Sequence, residues 1–206
     1  MSRYGELKRD VLEAAKRAHS MRLFAGTSGN LSVFRDGVVA VTPSGIRYDG
    51  MTADDIVVLL PGGEIVEGTH APSSETPMHL ALYAGRSDIR AVVHTHSPYA
   101  TAFAAGGRPV PAALIETVLH LGGEVRVAPP ELPGTKEVGV GALNALTGRF
   151  ACLLGNHGAV AVGGTMEEAL LRAEYVEDAA KICAIALSTG GVLDLPAEIV
   201  SALQPE

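Results

Sequence analysis

The dipeptide Asp36-Gly37 constrains the fold of this chain more than any other local feature. It lies between two apolar, β-branched runs at 31–35 and 38–42. Two residues of this type between strand-like segments form a tight turn whose twist matches that of paired strands, which is a hairpin signal. A hairpin commits the chain to antiparallel pairing. A second hairpin is expected where residues 56–60 and 64–67 flank Pro61-Gly62-Gly63. Helical patterns alternate with these strands. Leu7, Val11, Leu12, Ala15 and Ala18 recur at helical spacing, so residues 3–22 read as an amphipathic helix. Further helices are expected over 75–84 with Ser74 as N-cap, and over 98–105, 136–146 and 166–188, the last ended by Gly190-Gly191. Residues 90–93, 125–128, 151–154 and 159–162 read as strands, and 69–74 as loop. The tail after Gly191 reads as a short segment, packed loosely or on a neighbouring subunit. Hairpins mixed with helices point to α/β layers on a largely antiparallel sheet, not to a doubly wound parallel one. No internal repeat or linker divides the 206 residues, so a single domain over 1–206 is expected.

Composition narrows the function classes. The chain carries a formal net charge of -7 with no Lys/Arg cluster, which argues against binding to nucleic acid or an anionic membrane. Its apolar runs are short and interrupted, so no membrane span is expected. The N-terminus Met1-Ser-Arg-Tyr-Gly-Glu6 has no apolar signal stretch. Cys152 and Cys183 lie far apart and form no CxxC motif. Both read as small buried hydrophobes in a reduced, cytoplasmic enzyme.

The chemistry concentrates at His94-Thr95-His96 and in Gly155-Asn156-His157-Gly158. Residues two apart on a strand share a face, so His94 and His96 can offer two imidazoles to one ion. His157, at the end of a second strand, supplies a third nitrogen. Three protein ligands with one position open is the pattern of a catalytic zinc site. Mn²⁺ or Co²⁺ could substitute at an imidazole/carboxylate site.

Three short loops carry hydroxyls and glycines: Gly26-Thr27-Ser28-Gly29-Asn30, Thr42-Pro43-Ser44-Gly45 and Ser73-Ser74-Glu75. The first has neither Walker nor dinucleotide spacing. Read alone, it fits either an anion nest or an ordinary helix-to-strand turn. Taken together, the loops suggest a phosphate pocket built from neutral donors, with Ser73 and Ser74 ahead of a helix N-terminus. Glu75 opens that helix, where it can ligate a metal or act as a base. His79 lies four residues on, along the same face, and reads as a supporting or packing residue. His19, His70 and His120 have no partner motif and are read as packing or surface residues.

These five motifs, in this order and spacing, resemble the class II aldolase/adducin-head family, with the nearest likeness to its L-fuculose-1-phosphate aldolase branch. The resemblance runs from the first helix to about residue 188. It implies a three-layer αβα sandwich around a mostly antiparallel sheet, and a homotetramer with active sites between subunits. It also implies Zn²⁺ on His94, His96, His157 and Glu75, with Glu75 as acid/base in turnover. Phosphate would sit against Thr27, Gly29, Asn30, Ser44, Gly45, Ser73 and Ser74. The implied reaction is cleavage of a ketose 1-phosphate, of the L-fuculose or 5-deoxypentulose type, to dihydroxyacetone phosphate and an aldehyde through a metal-stabilised enediolate.

One departure concerns the segment 113–123, where the aldolases place a tyrosine contributed by a neighbouring subunit. This chain has none there, and Glu116 falls near that position. A glutamate there resembles the methylthioribulose-phosphate dehydratases, whereas the Ser-Ser-Glu motif is aldolase-like. The C-terminal tail also lacks the aldolases' tyrosine. A dehydratase, a 4-epimerase and a sugar-acid phosphate decarboxylase are alternatives on the same scaffold. A non-catalytic binding module like the adducin head would be expected to lose the metal ligands, which this chain retains.

Overall fold

The computed structural model describes residues 3–203. Among them the chain runs α1 (Gly5–Ser20), β1 (Asn30–Arg35), β2 (Val38–Val41), β3 (Val57–Leu59), β4 (Ile65–Glu67), α2 (Thr76–Gly85), β5 (Ala91–Thr95) and α3 (Pro98–Ala105). It continues α4 (Ile115–Leu121), β6 (Val127–Ala128), α5 (Lys136–Ala145), β7 (Ala151–Leu154), β8 (Gly158–Gly163), α6 (Met166–Thr189) and α7 (Ala197–Leu203).

The first hairpin forms as expected. Arg35 pairs with Val38 across Asp36 and Gly37, at φ 52° and 79°. Positive φ at both central residues defines the twisted two-residue turn. The strands make one sheet in the order β4-β3-β2-β1-β5-β8-β7-β6. Every pairing is antiparallel except β6 with β7.

Strand alternation sends residues to two separate cores. Leu31, Val33, Ala91, Val93, Ala159 and Ala161 face one, closed by α1, α3 and α6 through Val11, Ala15, Phe103, Leu170 and Val176. Val39, Val41, Val92, Cys152, Val160 and Val162 face the other, closed by α2 and α5 through Met78, Leu82, Val138 and Ala142. The result is helix, sheet and helix in three layers. Among the described residues no helix is long and apolar enough to cross a membrane.

Two local readings need correction. Ser74 does not cap α2. The N-cap is Glu75 and the helix begins at Thr76, because a tight turn precedes it and Pro77 occupies its first turn. In that turn the Thr76 amide and hydroxyl both donate to the Ser73 carbonyl, at 3.0 and 2.7 Å. Residues 115–121, assigned to no element from the sequence, form α4, ended by Gly122 at φ 83°. The tail, expected to pack loosely or on a neighbouring subunit, includes α7, which lies beside α4 with no buried residue of its own.

Candidate metal centre and anion cleft

Asn30 and His94 face each other across the β1–β5 ladder, which brings the glycine loop to the end of the histidine strand. His157 sits in the β7–β8 turn beside Asn156 at φ 57°. Asn tolerates that left-handed conformation better than most side chains. Glu75 caps α2 directly below. One ligand atom from each of Glu75, His94, His96 and His157 lies within 4.8 Å of all the others.

The proton bookkeeping at this cluster is restrictive. His94 Nδ1 lies 2.9 Å from the Ala159 carbonyl, which can only accept, so Nδ1 carries the proton. In the neutral ring Nε2 is then a lone pair. It faces Glu75 Oε2 at 2.8 Å and His96 Nε2 at 2.9 Å. Glu75 Oε1 lies 3.1 Å from His157 Nε2. Lone pairs converging at these distances repel unless a positive charge stands between them. In the bare site that charge is a proton on an imidazole; in a loaded site it is a metal ion. The donor set therefore fits a divalent metal, and the Nδ1-to-carbonyl bond is the support that such imidazoles receive.

Charge states agree with this reading. Burial opposes ionisation of Glu75, but hydrogen bonds from His157, His94 and Asn30 outweigh it and hold the carboxylate well below its usual range. Burial, with the neighbouring His94 and His157 charges, pushes His96 down to about 4, so its ring is neutral near pH 7.

The cluster forms the floor of a cleft of about 370 Å³, lined by Thr27, Ser28, Gly29, Asn30, Pro43, Ser44, Gly45, Ser73, Ser74, Glu75, His96, Pro133 and His157. Backbone bonds tie two of the loops together: Ser44 N donates to Ala71 O at 2.9 Å, and Ser73 N to Thr42 O at 3.0 Å. The third is held by Tyr48, whose hydroxyl donates to Gly29 O at 2.6 Å. Gly29 has φ +80°, and a Cβ there would run into the Phe24 ring. Ser28 spends its hydroxyl on Ala25 O at 2.6 Å, which leaves Thr27 and Asn30 as that loop's side-chain donors. A groove of about 540 Å³ beside Arg35 and Arg90 lies away from the cluster, and one of about 700 Å³ beside Leu80 and Lys136 adjoins the cleft, sharing Ser73 and Ser74 with it.

All the residues expected at the phosphate pocket thus line one cleft, and the four expected ligands converge. Glu116 does not join them. It is exposed on α4 and lines no part of the cleft. The remaining histidines pack elsewhere: His120 stacks on Tyr175, His70 Nε2 lies 2.9 Å from Asp55 Oδ1, and His19 lies against Tyr48. Both cysteines are buried and free. Burial pushes the Cys152 thiol up to about 12, as for an inert core side chain. Tyr48 and Pro133 were not identified from sequence. Pro133 belongs to the Pro/Gly-rich stretch 129–134, whose residues carry no chemical signal of their own.

The chain matches the class II aldolase and adducin N-terminal domain over residues 9–184 and belongs to that family. A 5-deoxy-D-ribulose 1-phosphate aldolase of Bacillus thuringiensis serovar kurstaki is 40% identical over 177 residues, covering 85% of this chain and 83% of that protein. A 5-methylthioribulose-1-phosphate/5-deoxyribulose-1-phosphate aldolase of Rhodospirillum rubrum is 38% identical over 175 residues, covering 85% and 79%. A solved L-fuculose 1-phosphate aldolase superposes with a TM-score of 0.92 at 39% identity, covering 98% of this chain and 95% of that one.

Proposed function

We propose that this protein is a metal-dependent class II aldolase that cleaves a ketose 1-phosphate to dihydroxyacetone phosphate and an aldehyde. The observation that carries this reading is the convergence of three imidazoles and one carboxylate at the floor of a cleft lined by hydroxyl and backbone donors. The names of its relatives support the same class, with 5-deoxyribulose 1-phosphate and L-fuculose 1-phosphate as the substrates to try first.

His94, His96, His157 and Glu75 would hold the ion, and Zn²⁺ suits that set. When bound, it would supply Lewis acidity that stabilises the enediolate charge. The chain does the rest. Thr27, Gly29, Asn30, Ser44, Gly45, Ser73 and Ser74 grip the phosphate and so fix the reacting carbons relative to Glu75. As the C3–C4 bond breaks, one proton leaves the C4 hydroxyl and one reaches C3. Glu75, ionised at rest, would take up the second from solvent water and pass it to C3.

Glu116 is proposed as the acceptor of the first proton, reaching the cleft of a neighbouring subunit in a homotetramer. Its flanking residues Ile115 and Leu119 are 49% and 45% exposed, apolar surface that such a neighbour would cover. The proposed setting is cytoplasmic, with residues 1–206 acting as one catalytic unit. The retained metal-ligand set weighs against a non-catalytic binding module.

The test is a coupled assay for dihydroxyacetone phosphate released from each of the two candidate substrates. Release by the metal-loaded protein, abolished by chelation, is expected. No release from either, with metal bound, would overturn the aldolase reading and favour dehydration or decarboxylation.

A further inference from the structure

Behind the cleft, a chain of buried polar groups runs inward from Glu75. The ionised carboxylate can only accept hydrogen bonds. Asn30 Nδ2, 2.9 Å from Glu75 Oε2, must therefore be the donor, which turns Asn30 Oδ1 away toward His79. Oδ1 can only accept, so His79 Nε2, at 2.6 Å, carries that ring's proton. His79 Nδ1 is then the acceptor, and Ser32 Oγ donates to it at 2.7 Å. The Tyr83 hydroxyl, 2.7 Å from Ser32 Oγ, donates to the Ser32 carbonyl at 2.9 Å and shares its one proton between these two acceptors. With Glu75 ionised, each proton from Ser32 Oγ to Glu75 has one consistent place.

The elements make this chain a zipper. Glu75, His79 and Tyr83 are spaced four apart at the start of and along α2, so they share a face. Asn30 and Ser32 are two apart on β1 and share the opposing face. His79 is fully buried, as is Ser32. A histidine serving only to fill that space would need no such directed pair of bonds, and an apolar side chain would serve as well.

We infer that His79 is a positioning residue for the cleft: its Nε2–H locks the Asn30 amide, so that one amide N–H grips Glu75 and the other is presented to an anionic ligand. The inference rests on the proposed reading of the cleft as a metal and phosphate site. Without that lock the Asn30 amide can flip and present its oxygen to the carboxylate and the anion, which repels both. Burial pushes His79 down to about 3, with the His94 charge acting the same way, consistent with a ring that stays neutral.

The test has two arms, both independent of catalysis. Nitrogen-15 NMR of the metal-free protein reads the His79 tautomer directly. The Nε2–H form at neutral pH is expected, and an Nδ1–H form or an imidazolium would overturn the inference. The second arm measures Zn²⁺ affinity by chelator competition, and inorganic phosphate affinity of the Zn²⁺-loaded protein by calorimetry. His79→Leu is expected to weaken both by about tenfold, the scale of losing a ligand's hydrogen-bonding support. His79→Gln places an amide N–H near the lost Nε2–H and should restore both to within about threefold of the parent.

Unchanged affinities in His79→Leu, or failure of His79→Gln to rescue a loss, would reduce His79 to a packing residue. If His79→Leu does not fold, Ser32→Ala carries the test, because it removes the donor that holds Nδ1 as acceptor and so releases the Nε2–H tautomer that locks Asn30. Mixed tautomers with weaker phosphate binding support the inference; an unchanged tautomer and affinity overturn it. A parent protein that binds neither Zn²⁺ nor phosphate instead refutes the proposed function, so the two failures are distinguishable.

Discussion

At the scale of single residues, the centre depends on close backbone approach. A Cβ on Gly158 would collide with the Thr95 carbonyl and come within 3.3 Å of both His94 Cε1 and His96 Cδ2. Gly158→Ala should therefore displace the imidazoles and destabilise the fold by about 1–3 kcal/mol, the usual cost of overpacking. Denaturant unfolding checks the second effect and metal content the first; a variant with parent-like values in both would refute the argument. Glu75→Gln keeps the shape but removes the exchangeable carboxylate, and activity should fall by about 10²–10⁴, the typical range of a general acid/base.

The grouping of His94, His96 and His157 was legible in sequence because two share a strand and the third closes a turn, both local patterns. The linkage of His79 to Asn30 was not, since it requires α2 to dock across β1, and no spacing along the chain encodes that contact. Tyr48 was missed for the same reason. Its bond to the Gly29 carbonyl joins parts of the chain that have no shared local pattern.

At the scale of elements, α2 carries both the proposed acid/base and its support. Its burial of a neutral His79 couples helix docking to pH. The ordinary value is 6.5 and the folded value about 3, so in this window the unfolded chain takes up a proton that the folded chain refuses. The stability from the neutral ring is complete above pH 6.5 and is lost progressively as pH falls toward 3. The slope approaches about 1.4 kcal/mol per pH unit. Urea midpoints of parent and His79→Gln measured from pH 7 to 4 should converge as the pH falls, whereas parallel curves would contradict this. The sequence placed α2 one residue early, because the Ser-Ser pair looks like a cap while the turn closed by Thr76 and the following Pro77 moves the start. Helix α4 escaped notice because it is short, opens on Leu114 and has no capping side chain.

At the scale of the whole molecule, the hairpins and helical periodicities were enough to give the layered class. The strand order was not readable locally: β5 inserts beside β1, placing Asn30 opposite His94 although they are distant in sequence. That insertion is what brings the glycine loop to the histidines. The position of Glu116, exposed and outside its own cleft, yields a prediction about assembly. Glu75→Gln and Glu116→Gln chains, each inactive alone, should regain activity when dissociated together and reassembled. Random mixing leaves about a quarter of the shared sites with both glutamates in a closed cyclic oligomer. No recovery, with hybrid assembly verified by mass, would remove Glu116 from the reaction or place it in the same subunit's site.

The central claim is that this cleft makes an enediolate from the triose phosphate half of its substrate, whatever the aldehyde. Hydrogen exchange on dihydroxyacetone phosphate in deuterated water, followed by proton NMR without any aldehyde, tests it most directly. The metal-loaded protein should exchange one hydrogen of the hydroxymethyl carbon, on one face only, and chelation or Glu75→Gln should stop it. An absence of exchange by metal-loaded protein, or exchange that persists in Glu75→Gln, would contradict the account.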